Sequence, residues 1–182
     1  MPSWRTLETD TRQTFHQTFV TICRYRVHNH YRAKLVSCLE VLHDEDLWRK
    51  DTGGNSIESI AHHMLAHVHL FESIVLQSPE GKEMPVKGIE GDFPERRQGR
   101  DALRAEVDEG FNRFDGVLAT LHDSDAPECV EPANLNRLFH VVEHLSYHLG
   151  QIVMLTRMRT GHEFHFVEAG INEAQLRGLL NG

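Results

Sequence analysis

Apolar residues recur at steps of three and four along four long stretches of the chain, and this spacing predicts amphipathic helices. The predicted helices cover residues 8–43, 55–77, 100–122 and 134–160, and the first is expected to bend near residues 28–30. No β-hairpin is indicated, although residues 165–167 could form a short extended segment. Four such helices predict an all-α fold, a four-helix bundle with a long connection between helices 2 and 3.

Local signals set the ends of these helices. Residues 44–54 are expected to be a linker, and Asn55 with Glu58 three residues later has the form of a capping box that starts the second helix. The connection at residues 78–99 is rich in proline and glycine, and Gly161 is expected to stop the fourth helix. A short closing helix should follow, capped by Asn172. Its inward positions are expected to be Leu176, Leu179 and Leu180.

Length, cysteine content and charge restrict the class of protein. A chain of 182 residues predicts a single domain over residues 1–182 that buries a core without disulfides. Cys23, Cys38 and Cys129 lack CxxC spacing, and no window is apolar enough for a secretion signal or a membrane span. We therefore expect a cytoplasmic protein with buried, reduced cysteines. The net charge of −8 and the scattered basic residues argue against nucleic-acid binding.

Histidine is the outlier of the composition, with 14 residues, and its placement suggests a metal site. In the fourth helix, His144 and His148 lie four residues apart on the inward stripe, so one metal ion could bind both. His140 lies about 80° from His148 around an ideal helix and is set aside. In the second helix, periodicity places His67 within the apolar stripe and His63 at its border. His62 and His69 are predicted to face away.

Two segments resemble a known family. The run HLSYHLGQI at residues 144–152 closely resembles the last-helix signature of the DinB/YfiT-like superfamily, in which HxxxHxGQI carries two metal ligands. NSIESIAHHM at residues 55–64 is similar to its second-helix signature, and the segment leading to Asp92 and Phe93 is similar to a loop of one branch. The resemblance implies a four-helix bundle of this type with His63, His144 and His148 as the metal ligands.

The ligand set implied by the resemblance differs from the ranking by periodicity, which puts His67 first. We follow the motif, because ideal helical wheels misplace residues once helices bend or supercoil. His67 is then either a fourth imidazole ligand or a neighbour of the site, and a fourth ligand would disfavour catalysis at the metal.

Residues next to the motif suggest further roles. Gln151 and Glu143 could each orient an imidazole by accepting its second N–H, although solvation at the surface explains them equally well. Gly150 could allow another helix to approach closely, and Tyr147 could line a cavity or simply pack.

The resemblance implies a chemistry for this site. Characterised members of the superfamily include transferases that join a low-molecular-weight thiol to an electrophile, so a metal-dependent thiol S-transferase in detoxification or stress is the first hypothesis. A hydrolase that uses metal-bound hydroxide, with a base such as Glu143, is the second. A non-catalytic, stress-associated metal-binding protein, or a bundle whose histidines only pack, is the third. Zn²⁺ or Ni²⁺ would suit the imidazoles, as would Fe²⁺ or Mn²⁺. A small-molecule substrate and a homodimer are also expected.

Overall fold

The fold is all-α in a computed structural model that describes residues 4–51, 53–76, 89, 91–123 and 132–181, with side chains from residue 14 onward. Its helices are α1 (Trp4–Tyr25), a π-helical segment (Arg26–Arg32), α2 (Ala33–Glu40), α3 (Asp44–Trp48), α4 (Ile57–Val75), α5 (Arg100–Asp123), α6 (Pro132–Thr160) and α7 (Ala174–Asn181). The described residues contain no strand, so the predicted extended segment at residues 165–167 is wrong. No helix in the described part of the chain is long and apolar enough to cross a membrane.

The first predicted helix is one helical run made of α1, the π-helical segment and α2. The π-helical turns occupy residues 26–32, where the sequence predicts a bend. A π-helical turn accommodates an extra residue and changes the direction of the faces that follow it. Val20, Cys23, Leu35 and Cys38 are buried along this run, two before the π-helical segment and two after it.

The helix α4 packs between two other long helices. It contacts both α5 and α6, while the run from α1 to α2 contacts the other sides of the same two helices. A glycine allows one of these contacts, because a Cβ on Gly110 of α5 would lie 2.7 Å from Leu65 Cδ2 of α4. Since α4 is packed on two sides, residues 56–64 are all buried.

Several predicted helix ends need correction. The expected linker contains the short helix α3, and the cap of α4 is Ser56, not Asn55: its hydroxyl accepts from the Ser59 N–H at 3.1 Å. Glu58 is not a capping partner, because it is fully buried and accepts from the Gln98 N–H at 2.8 Å. The capping signal therefore located the helix but assigned two residues wrongly.

The C-terminal helices follow the prediction more closely. Gly161 ends α6 in a left-handed conformation, with φ of 70°, and Asn172 Oδ1 accepts from the Ala174 N–H at the start of α7. Leu176 is buried as expected, but Leu179 and Leu180 are 62% and 42% exposed. Only one of the three leucines therefore faces the core.

Candidate metal centre

Three histidines from α4 and α6 converge between these helices. His63, His67 and His144 each offer a ring nitrogen, and these nitrogens all lie within 4.8 Å of one another. His63 Nε2 and His144 Nε2 are 2.9 Å apart, and the His67 ring stacks on the His144 ring at 3.7 Å between centroids. No other group of three or more such ligand residues occurs in the described part of the chain.

The structure brings His148 to the same place, although its nitrogens lie outside that group. Its ring is 4.7 Å from the His63 ring and 4.4 Å from the His144 ring, measured between centroids. His140 is exposed, with its ring 5.8 Å from that of His144. Four imidazole rings from two helices therefore lie close together, and the His140 ring lies at the edge of the cluster.

Hydrogen bonds fix the protons of two of these rings. His63 Nδ1 donates to the Asp92 carbonyl oxygen at 2.8 Å, and His148 Nδ1 donates to Gln151 Oε1 at 2.9 Å. A neutral imidazole has one N–H, so Nε2 of each ring keeps its lone pair. This is the outer arrangement found around most histidine ligands of metals. The role predicted for Gln151 is confirmed, whereas Glu143 is exposed and does not orient a ring of the group.

Burial keeps these imidazoles neutral. Burial first, and then the neighbouring histidines, lowers the pKa of His144 to about 3 and that of His67 to about 4. Burial also lowers the pKa of His63 and of His148, against the opposing effect of their hydrogen bonds. Because only neutral imidazole binds a metal ion, the site is in its binding form at pH 7.

The donor set fits a divalent transition metal. His67 Nε2 is buried without a hydrogen-bond partner, and such an atom is costly unless something binds it. No carboxylate or thiolate of the described residues belongs to the group, so its donors are uncharged nitrogens. Imidazole sets of this kind suit Zn²⁺, Ni²⁺ and Cu²⁺ better than Mg²⁺ or Ca²⁺.

The end of the loop before α5 covers one side of the histidines. The Phe93 ring stacks on the His63 ring at 4.2 Å between centroids, with an angle of 19° between the planes. Gln98 holds this segment on the helices, since its N–H donates to buried Glu58 and its carbonyl accepts from Trp48 Nε1 at 3.0 Å. Residues 77–88, most of the predicted loop, lie outside the described residues.

A cleft of about 190 Å³ opens on the other side, between α4 and α6. His67 and His140 form its wall next to the metal centre, Leu70 and Phe71 contribute apolar surface, and Arg137 stands at the helix surface. A larger cavity of about 450 Å³ is lined by residues of α1, the π-helical segment, α5 and α7 and contains none of the clustered histidines. The smaller cleft borders the metal centre.

One prediction for α4 is wrong. His62 does not face away: it is 2% exposed, and its ring nitrogens lie 3.5 Å from a Glu106 oxygen and 3.8 Å from a Glu58 oxygen. The predicted outward position of His69 is confirmed, because its side chain is 48% exposed. The wheel failed for His62 because α4 is buried on two sides rather than along one stripe.

Comparison with known families identifies the chain. The model of the DinB superfamily matches residues 29–152, about two thirds of the sequence, and this range includes all the clustered histidines. The chain belongs to the DinB superfamily. Searches of curated proteins and of solved structures found no match. In this DinB-superfamily chain, the sequence did not indicate Leu70 and Asn136 as lining of the cleft, and it led us to set His140 aside, although His140 lines the cleft too. Leu70 and Asn136 belong to no histidine motif, but the apolar positions Leu70 and Phe71, one turn beyond His67, were a usable signal.

Proposed function

We propose that this protein is a cytoplasmic, metal-dependent enzyme built as one four-helix-bundle domain, which transfers a low-molecular-weight thiol to a small electrophile. The observation that carries the proposal is the convergence of neutral imidazoles beside a cleft that is open to substrate. The histidine motif resembles that of the superfamily, whose characterised members include thiol transferases, and this resemblance supplies the reaction class. The proposal includes a homodimer.

The proposed ligands are His63, His144 and His148, with zinc or nickel as the metal. His63 and His148 both have Nδ1 held by an oxygen acceptor, as metal-bound histidines usually do. His144 Nε2 lies against His63 Nε2 at 2.9 Å, so a single ion could bind both in place of the proton that they share. A bound divalent metal would supply Lewis acidity, which favours the thiolate form of a thiol.

The protein's own residues then hold and orient the reactants. Asp92 and Gln151 keep protons on the Nδ1 atoms, so the Nε2 lone pairs of His63 and His148 stay directed away from these acceptors. His67 is neutral at pH 7, and its unpartnered Nε2 offers a hydrogen bond to a group at the wall of the cleft. Phe93 excludes water from the opposite side of His63.

The cleft suits a small electrophile with an apolar body. Leu70, Phe71 and Val141 line its interior, and a volume of about 190 Å³ accommodates a fragment rather than a polymer. Transfer then forms a carbon–sulfur bond, while the electron pair of the broken bond leaves with the leaving group and the thiol proton goes to solvent. The main work of the protein is to position the two reactants.

A second function is favoured by His67. This residue belongs to the group of converging nitrogens, so four imidazoles could saturate a metal ion and leave no position for a thiol. The protein would then bind or store metal without catalysis. A hydrolase is less well supported, because Glu143, the expected base, is exposed and does not orient a ring of the group.

The test is thiol binding and transfer with the metal-loaded protein. Cobalt substituted for zinc should develop a sulfur-to-metal charge-transfer band when a thiol binds, and the loaded protein should conjugate a chromogenic electrophile. His148→Ala should lose both signals, whereas His69→Ala, which changes an exposed histidine of α4, should keep them.

The two functions give different results in this experiment. No charge-transfer band and no conjugation, with metal bound firmly by the wild type, would refute the transferase and support a saturated site. A protein whose conjugation rate equals that of His148→Ala would also refute the transferase.

A further inference from the structure

The outer side of α6 exposes four large apolar side chains. Phe139 is 48% exposed, Tyr147 66%, Met154 56% and Met158 70%. They account for four of the nine large apolar residues that are exposed in the described part of the chain. A concentration of this kind on one helix marks an interaction surface more often than chance exposure does.

The spacing on this side is that of a helix-packing seam. Five residues follow one another at steps of four, three, four and three, and we call them the α6 face: Glu143, Tyr147, Gly150, Met154 and Arg157. Alternating steps of three and four keep a stripe facing another helix along its whole length. The spacing of the α6 face therefore suits packing against another helix.

Gly150 lies in the middle of the α6 face and allows a close crossing. A Cβ built on Gly150 would meet nothing within 4 Å, so its position inside this chain does not require glycine. Together with Met154, Arg157 and Met158 it forms a hollow of about 540 Å³. Without a side chain at the crossing point, a second helix could approach to the short end of the usual range of about 8–10 Å between axes. No helix of the described chain therefore packs closely against Gly150, contrary to the expectation, and a helix of a partner could do so instead.

The exposed charges of α6 favour a second copy of the chain as the partner, with its α6 in the antiparallel orientation. Glu143 and Arg157 are both exposed and lie seven residues to either side of Gly150, about 10 Å along the helix. If two copies of α6 cross antiparallel at Gly150, Glu143 faces the partner's Arg157, and the two-fold axis repeats the pair. A parallel pairing would instead oppose glutamate to glutamate and arginine to arginine.

We propose that the α6 face joins two copies of this chain into an antiparallel, two-fold symmetric dimer that crosses at Gly150. This inference rests on the proposed function, which includes a homodimer, and it specifies the surface through which the two copies contact each other. His144 and His148 lie on the buried side of the same helix, so the dimer braces the helix that carries them.

Reversing the charges tests this register. In sedimentation velocity, the wild type should have twice the chain mass of 20.9 kDa. Glu143→Arg opposes two arginines and Arg157→Glu opposes two glutamates, so each variant alone should dissociate at least about tenfold more readily. Mixed in equal amounts, the two variants should form a heterodimer, because each then presents the charge that the other lacks. Glu109→Arg, an exposed reversal on α5, is the matched control and should remain dimeric.

The apolar part of the α6 face has its own test. Gly150→Gln fills the crossing point and should give a monomer of normal helix content, whereas Gly116→Gln, at another open glycine on α5, should not. A monomeric wild type, or single charge reversals that stay dimeric, or two reversal variants that fail to associate on mixing would each overturn the proposal. Metal content of every variant should equal that of the wild type. A dimer that binds no metal would refute the proposed function and leave the α6 face standing.

Discussion

Replacing Gln151 with leucine should weaken metal binding through a residue that touches no metal. Gln151 Oε1 accepts from His148 Nδ1 at 2.9 Å, and His148 is 5% exposed. Removing the acceptor leaves a buried N–H without a partner and frees the ring to turn or to exchange its proton between nitrogens. The loss of such outer hydrogen bonds typically lowers metal affinity about 10–100-fold, or about 1.4–2.8 kcal/mol.

Chelator competition with Zn²⁺ at pH 7 measures this change. Gln151→Glu keeps an oxygen acceptor and should bind zinc at least as tightly as the wild type. Gln175→Leu, which changes an exposed glutamine of α7, controls for the loss of an amide. If Gln151→Leu binds zinc within about twofold of the wild type, His148 is not a ligand and the reasoning from its hydrogen bond is wrong.

Three further predictions concern stability and reactivity. The metal-free protein should lose stability as the pH falls below 6.5, because the histidines of the unfolded chain then become protonated. In the folded protein His67 and His144 stay neutral, since burial lowers the pKa of His67 to about 4 and that of His144 to about 3. Equal melting temperatures at pH 7 and 5 would contradict this. Arg113→Ala should lower the free energy of unfolding by about 1–3 kcal/mol, because it strands the buried carboxylate of Glu72, 2.8 Å away, and urea titration against an exposed Arg177→Ala control measures the difference. In a Cys129→Ser background, Cys23 and Cys38 should resist a thiol reagent until the protein is unfolded, because burial raises the pKa of both to about 12, and prompt labelling of the native protein would disprove it.

Helix positions were predictable because the apolar period is a property of each segment alone. The predicted third and fourth helices, at residues 100–122 and 134–160, differ from α5 and α6 by one and two residues at their ends. The bend that the sequence predicts near residues 28–30 lies within the π-helical segment. α3 escaped prediction because five residues are too few to establish a period.

The site was only partly predictable, since its geometry depends on neighbours that no local pattern contains. His63 and His144 could be selected from their motifs, but His62 could not be placed, because the two-sided packing of α4 removes the distinction between faces. The contact between His63 and Asp92 uses a backbone carbonyl, which every residue possesses. The burial of Glu58 depends on a loop that returns from residue 98.

His67 illustrates the limit of both methods of prediction. Helical periodicity ranked it first, and its ring lies in the group of converging nitrogens. The family motif passed over it, because a motif records the types of residue at fixed spacings and not the additional imidazole of one chain. Whether His67 completes a coordination shell depends on distances of tenths of an ångström, which no sequence pattern specifies.

Metal content tests the central claim most directly. Purified wild type, loaded with zinc and dialysed, should retain a single ion per chain by elemental analysis. His63→Ala, His144→Ala and His148→Ala should each lose it, whereas His69→Ala should not. A wild type that retains no metal would contradict the account outright. Retention by His148→Ala together with loss by His67→Ala would replace the proposed ligand set with His63, His67 and His144.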